Sequence, residues 1–141
     1  MKNFKRVLIT GGAQRIGSSI TKHLANKGFD VAIQYNKSHS NIDKLKTLLK
    51  TTSVKFKAFQ FNFRKAKNYE GFFKKIKKDF GDIDILINNA SAFEFDSIKK
   101  TSHEIFDNHI DVNLKAPFFL SKCYVENYKK KDGLIINIID Q

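Results

Sequence analysis

The chain has 141 residues, 41% hydrophobic and 28% charged, with one Cys and a formal net charge of +12. This length suits one domain, 1–141, and the apolar content is enough for a core, which excludes a disordered chain. A lone Cys123 excludes a disulfide framework and a cysteine zinc site, and no apolar run approaches the roughly 20 residues of a membrane span, so the expectation is a soluble, cytoplasmic protein.

In chain order, Val7-Leu8-Ile9 reads as a buried strand. Residues 15–27 read as a helix with Ile16, Ile20 and Leu24 on one face. Val31-Ala32-Ile33 is a second strand, and Ile42, Leu45, Leu48 and Leu49 mark a second helix. Val54, Phe56 and Ala58 begin a third strand. Tyr69, Phe72, Phe73, Ile76 and Phe80 follow i, i+3, i+4, i+7 spacing and predict a third helix. Ile83, Ile85, Leu86 and Ile87 form a fourth strand. Thr101 and Glu104 have capping-box spacing and open a long fourth helix. Residues 134–139 are a fifth apolar strand.

Strands alternating with helices imply an α/β fold: a mostly parallel sheet, doubly wound, with helices on both faces. In such a fold a ligand lies beyond the carboxyl ends of the strands. Those ends are residues 10–17, 34–38, 60–63, 88–93 and 140.

Of the 26 basic residues, 23 are Lys and three are Arg. Their spread along the chain reads as solvated helix faces. A nucleic-acid surface is the alternative, but no homeodomain, zinc-finger or RNP-type signature accompanies the charge. The four His have no metal-ligand spacing with Cys or acidic partners, so no metal site is expected.

The first strand runs into Thr10-Gly11-Gly12-Ala13-Gln14-Arg15-Ile16-Gly17 at the head of a helix. Small residues there let the backbone approach a phosphate, and a helix N-terminus offers free N–H groups. Gly12 and Gly17 have the spacing of a nucleotide-hydrolase phosphate loop, but Ser18 stands where that loop needs Lys. The literal G-x-G-x-x-G pattern is also missing.

The segment resembles the T-G-x-x-x-G-x-G turn of the short-chain dehydrogenase/reductase family, with Arg15 in place of the middle glycine. Asn88-Asn89-Ala90-Ser91 follows strand four where the family has N-N-A-G. Asn113 lies in the fourth helix within Asn113-Leu114-Lys115-Ala116-Pro117. Arg15, Ser91, Phe93 and Asp140 together resemble the pteridine reductase branch; most of the family has Ser at the position of Asp140. The resemblance implies a Rossmann-type sheet of order 3-2-1-4-5.

It also implies roles. Gly11, Arg15, Ile16 and Gly17 would border the cofactor from the turn. Asn62 and Phe63 would border the adenine, with Asn62 standing where the family usually has Asp. Asn89, Ala90 and Ser91 would pass along its ribose and pyrophosphate. Phe93 would sandwich a pterin against the nicotinamide, and Asp140 would help supply a proton while NADPH delivers hydride. Pro117 lacks an N–H, so the Asn113 carbonyl loses its helical partner and can hold a water. The resemblance places Asn113 in a water-mediated proton relay.

Cofactor choice turns on the end of strand two. A carboxylate there would accept from the ribose 2′-hydroxyl of NAD and repel a 2′-phosphate. The segment is Gln34-Tyr35-Asn36-Lys37-Ser38, with no acid. Asn36, Lys37 and Ser38 face that position, and Arg15 can converge with them on a phosphate, which favours NADP(H).

The family's catalytic pair is Tyr-x-x-x-Lys. None of the four Tyr here is followed four later by Lys. The resemblance therefore implies the N-terminal portion of the family fold, truncated at its C-terminal side, with no turnover expected of it alone. The expected partner is a small pterin-like molecule, with a homo-oligomer for the full-length relative. Alternatives are a 3-oxoacyl or sugar reductase of the same family, a non-catalytic NADP-binding module, and a polyanion-binding protein. An apolar edge at strand five and a fourth helix without its neighbour imply that the segment is marginal alone or self-associates.

Overall fold

A computed structural model describes residues 4–128 and 132–139. The elements are β1 (Arg6–Thr10), α1 (Arg15–Asn26), β2 (Asp30–Tyr35), α2 (His39–Leu49), β3 (Phe56–Gln60), α3 (Tyr69–Phe80) and β4 (Ile85–Asn88). They continue with α4 (His103–Ile110), a π turn (Asp111–Lys115), α5 (Ala116–Asn127) and β5 (Leu134–Asn137). The strands form one sheet in the order β3-β2-β1-β4-β5, every pair parallel. This is the Rossmann-type order expected.

Strand side chains alternate between faces, so each strand feeds two cores. Val7, Ile9, Val31, Ile33, Ile85 and Ile87 pack under α1 and α2. Leu8, Phe59 and Leu86 pack with Phe72, Phe73, Ile76, Leu120 and Tyr124 of α3 and α5. Buried on both faces, the central strands read as continuous apolar runs. Asn68 caps α3, its Oδ1 accepting from Gly71 N–H at 2.8 Å. Buried Asp84 accepts from the N–H groups of Lys5 and Arg6 at 2.8 and 3.0 Å, fixing the start of β1 beside β4.

Several elements differ from the sequence reading. The core face of α1 is Gly17, Thr21 and Ala25, and Ile16 is 62% exposed. Small residues bring this helix close to the sheet, which leaves the larger apolar side chains flanking the contact or facing water. Ile83 and Val54 precede their strands rather than open them. Ser102, not Thr101, caps α4, accepting from Ile105 N–H at 3.2 Å, while the Thr101 hydroxyl donates to Asp96. The long fourth helix changes pitch at Asp111–Lys115, where Ala116 N–H reaches back five residues to the Asp111 carbonyl. A π turn just before Pro117 accommodates the residue that cannot donate to the helical ladder. β5 ends at Asn137, although Ile138 N–H still donates to the Asn88 carbonyl at 2.9 Å.

Candidate functional site

The turn after β1 is built around close approach. Gly11 has φ +62°, a conformation favouring glycine. A Cβ at Gly17 would stand 2.2 Å from the Gly11 carbonyl oxygen and 2.6 Å from Asn89 Nδ2. Only glycine lets α1 begin there. Arg15 occupies the left-handed region at φ +46°. For a residue with a Cβ this costs about 1 kcal/mol. Buried Gln34 in β2 fixes the turn: its Oε1 accepts from Gly11 N–H at 2.9 Å, and its Nε2 donates to the Phe61 carbonyl at 2.5 Å.

On the other side stands the loop after β4. Thr10 Oγ1 accepts from both Asn89 N–H and Ala90 N–H, each at 2.9 Å. Asn89 Nδ2 donates to the Thr10 carbonyl at 3.0 Å. Asn89 therefore ties its loop to the glycine turn through its side-chain amide. Ser91 is exposed beyond it.

Asn113 sits in the π turn, and its side-chain amide is paired with one peptide unit's worth of backbone groups. Its Oδ1 accepts from Ala92 N–H at 2.8 Å, and its Nδ2 donates to the Ala92 carbonyl at 2.9 Å. The side chain thus positions the loop that carries Ser91 and Phe93.

A cleft of about 570 Å³ lies between this loop, the π turn and β5, lined in part by Ser91, Asn113, Pro117, Ser121 and Asn137. Asn88 forms part of its wall, donating to Asn137 Oδ1 at 2.8 Å. Phe93 is 80% exposed in the loop two residues beyond Ser91. Asp140 lies outside the described residues.

At the opposite end, Gln14 Nε2 donates to Ser38 Oγ, which joins the turn holding Arg15 to the start of α2. Asn36 and Lys37 are exposed. The Asn36 carbonyl accepts from Gln60 Nε2 at 3.0 Å. Asp30 is at the far end of β2, where it accepts from Lys55 N–H at 2.8 Å and faces Arg6 at 3.7 Å. Asn62 is exposed and its Oδ1 accepts from Arg64 N–H at 3.0 Å. Phe63 is different: its ring is buried in the core and stacks on Tyr69.

Two residues here escaped the sequence reading. Gln34 carried a signal, as a polar residue in an apolar strand. Asp111 carried a weaker one, its i, i+4 spacing to Lys115. Its buried carboxylate accepts from Lys115 Nζ at 2.7 Å and from Lys65 N–H at 2.8 Å. The bond from Lys115, then that from the Lys65 backbone, holds the carboxyl below its ordinary range. Asp111 thereby fastens the loop after β3 to the π turn, and the Arg64–Glu104 ion pair joins the same loop to α4. Among the described residues no cluster of three His, Cys, Asp or Glu could hold a metal, and no helix is long and apolar enough to cross a membrane.

The profile of the short chain dehydrogenases matches residues 5–140. The chain belongs to that family. It is 31% identical over 139 residues to the 3-oxoacyl-[acyl-carrier-protein] reductase FabG of Staphylococcus aureus strain Mu50, covering 98% of this chain and 56% of the relative. It is 36% identical to an uncharacterized oxidoreductase of Thermotoga maritima, over 95% of this chain and 53% of that one. Among solved structures, FolM alternative dihydrofolate reductase 1 from Brucella canis, complexed with NADP, superposes with a TM-score of 0.87 at 33% identity. That match covers 96% of this chain and 55% of the other. The chain thus spans about half the length of the relatives it matches.

Proposed function

We propose that these residues form the cofactor-binding portion of an NADP(H)-dependent reductase acting on pteridine- or dihydrofolate-type rings. The observation that carries the cofactor is the cationic, acid-free end of β2 brought beside Arg15 by the Gln14–Ser38 hydrogen bond. The residues present fit the group. Gly11 and Gly17 close the turn tightly at the head of α1, where no side chain caps the helix and its first N–H groups remain for a phosphate. Gly11, Ile16 and Gly17 border the pyrophosphate at the head of α1, and Arg15, Asn36, Lys37 and Ser38 surround the 2′-phosphate. Asn62 and the main chain of Phe63 border the adenine, and Asn89, Ala90 and Ser91 the ribose side.

Bound NADPH supplies a hydride. Phe93 offers an exposed ring on which a flat heterocycle can stack. Asn113 holds the loop that presents it, and Asp140 is the proton-supplying candidate. The likeness to a dihydrofolate reductase structure supports this substrate class. A second reading, a 3-oxoacyl reductase, draws on the Staphylococcus relatives. Since the 141 residues contain no Tyr-x-x-x-Lys, they bind cofactor without turnover by themselves. A homo-oligomer and a reducing, cytoplasmic setting complete the proposal.

Titration with NADPH and NADH tests the cofactor. NADPH should bind more tightly, and the preference should shrink below about pH 6, where a phosphate monoester takes up its second proton. Equal affinity for the two at neutral pH refutes the reading. For the substrate, Phe93→Ala should weaken dihydropterin binding to the NADPH-loaded chain by roughly fivefold, the worth of one aromatic contact. An unchanged affinity removes Phe93 from the site.

A further inference from the structure

Between α1 and α2 runs a second cleft, of about 410 Å³. Its walls include Arg15, Ser18 and Lys22 from α1 and Asn41 and Lys44 from α2. No carboxylate lines it. Among the described residues, none of the three cations pairs with an acid; nearby Asp43 faces Lys46 instead. Three uncompensated positive charges on facing helices repel one another and create a field that an anion relieves.

The fold directs that field. Both helices begin at the carboxyl edge of the sheet, so Arg15 stands at the mouth of the cleft. Lys44 lies five residues beyond the start of α2 and Lys22 seven beyond Arg15. Side chains on a helix lean toward its N-terminus, which here is the cofactor edge. A Lys44 stem that leans this way is long enough to bring its ammonium toward Arg15 across the cleft that both residues line. Lys37 does not line this cleft.

We propose that Lys44 is a specificity-determining residue for the cofactor 2′-phosphate, acting with Arg15 across the α1–α2 cleft. Lys22 adds charge from deeper in and contributes less. The inference rests on the NADP(H) reading above and adds to it a residue that the strand-two motif does not contain.

The test is titration of the 141-residue chain and its Lys44→Met, Lys44→Arg, Lys22→Met and Lys37→Met variants with NADPH and NADH, at low and high salt. Lys44→Met should weaken NADPH by about three- to tenfold, the range of one partly exposed charge contact to a dianion, and leave NADH unchanged. Lys44→Arg should restore the preference, Lys22→Met should reduce it less, and salt should narrow every difference. If the native chain prefers NADPH and Lys44→Met keeps the same NADPH-to-NADH ratio, the inference falls and the cofactor reading stands. If the native chain shows no preference, both fall. A Lys44→Met loss shared equally by NADPH and NADH also overturns the role, because a phosphate contact cannot act on NADH.

Discussion

Arg15 combines a conformational cost with a functional charge. Its φ of +46° suits glycine, yet a guanidinium stands there beside the Gln14–Ser38 junction. Arg15→Gly relieves left-handed strain but gives the unfolded chain more freedom, two terms of about 1 kcal/mol and opposite sign. Its melting temperature should stay within about 4 °C of the native chain. Its NADPH affinity should fall by about ten- to a hundredfold, since a charge-assisted phosphate contact is lost. Thermal melts and titrations of the one variant separate these effects. A large drop in melting temperature would mean that the side chain holds the turn together.

At the scale of elements, the π turn and the loop after β3 are fastened by Asp111. The folded carboxyl titrates below its ordinary range, so the paired carboxylate adds stability above about pH 4, where the unfolded group is also ionised. That stability is lost as pH falls through the depressed folded value. Asp111→Asn should cost about 1 kcal/mol at pH 7, from the weakened bonds to Lys65 and Lys115. The gap should close in strong acid. Urea midpoints across pH 2–7 give the measurement, and a gap that persists unchanged in acid removes the ionic explanation.

On the scale of the whole molecule, two apolar surfaces lack cover among the described residues. Phe106, Leu114, Phe118 and Val125 are exposed along α4, the π turn and α5, and Leu134, Ile136 and Ile138 are part-exposed at the β5 edge. β5 pairs with β4 alone in the described sheet. Contiguous apolar surface and an open edge favour association. The 141-residue chain should therefore self-associate at micromolar concentration, measured by sedimentation. A monomer with a sharp, reversible, concentration-independent unfolding transition counts against this.

The alternation of apolar runs with amphipathic segments was sufficient to place the five strands, α1 to α3, one long helix where α4, the π turn and α5 stand, and the parallel sheet, because those periodicities are local and the central strands are buried on both faces. The glycine turn and the acid-free end of β2 were legible for a similar reason: backbone approach and charge at a fixed topological edge are written in adjacent residues. Through-space partners are not. Only the folded chain decides that the Asn113 amide binds Ala92, that the Phe63 ring turns into the core, and that Ile16 faces water because Gly17, Thr21 and Ala25 make the close contact. It likewise brings Lys44 to the cleft with Arg15, since helix packing sets that meeting and no sequence spacing encodes it.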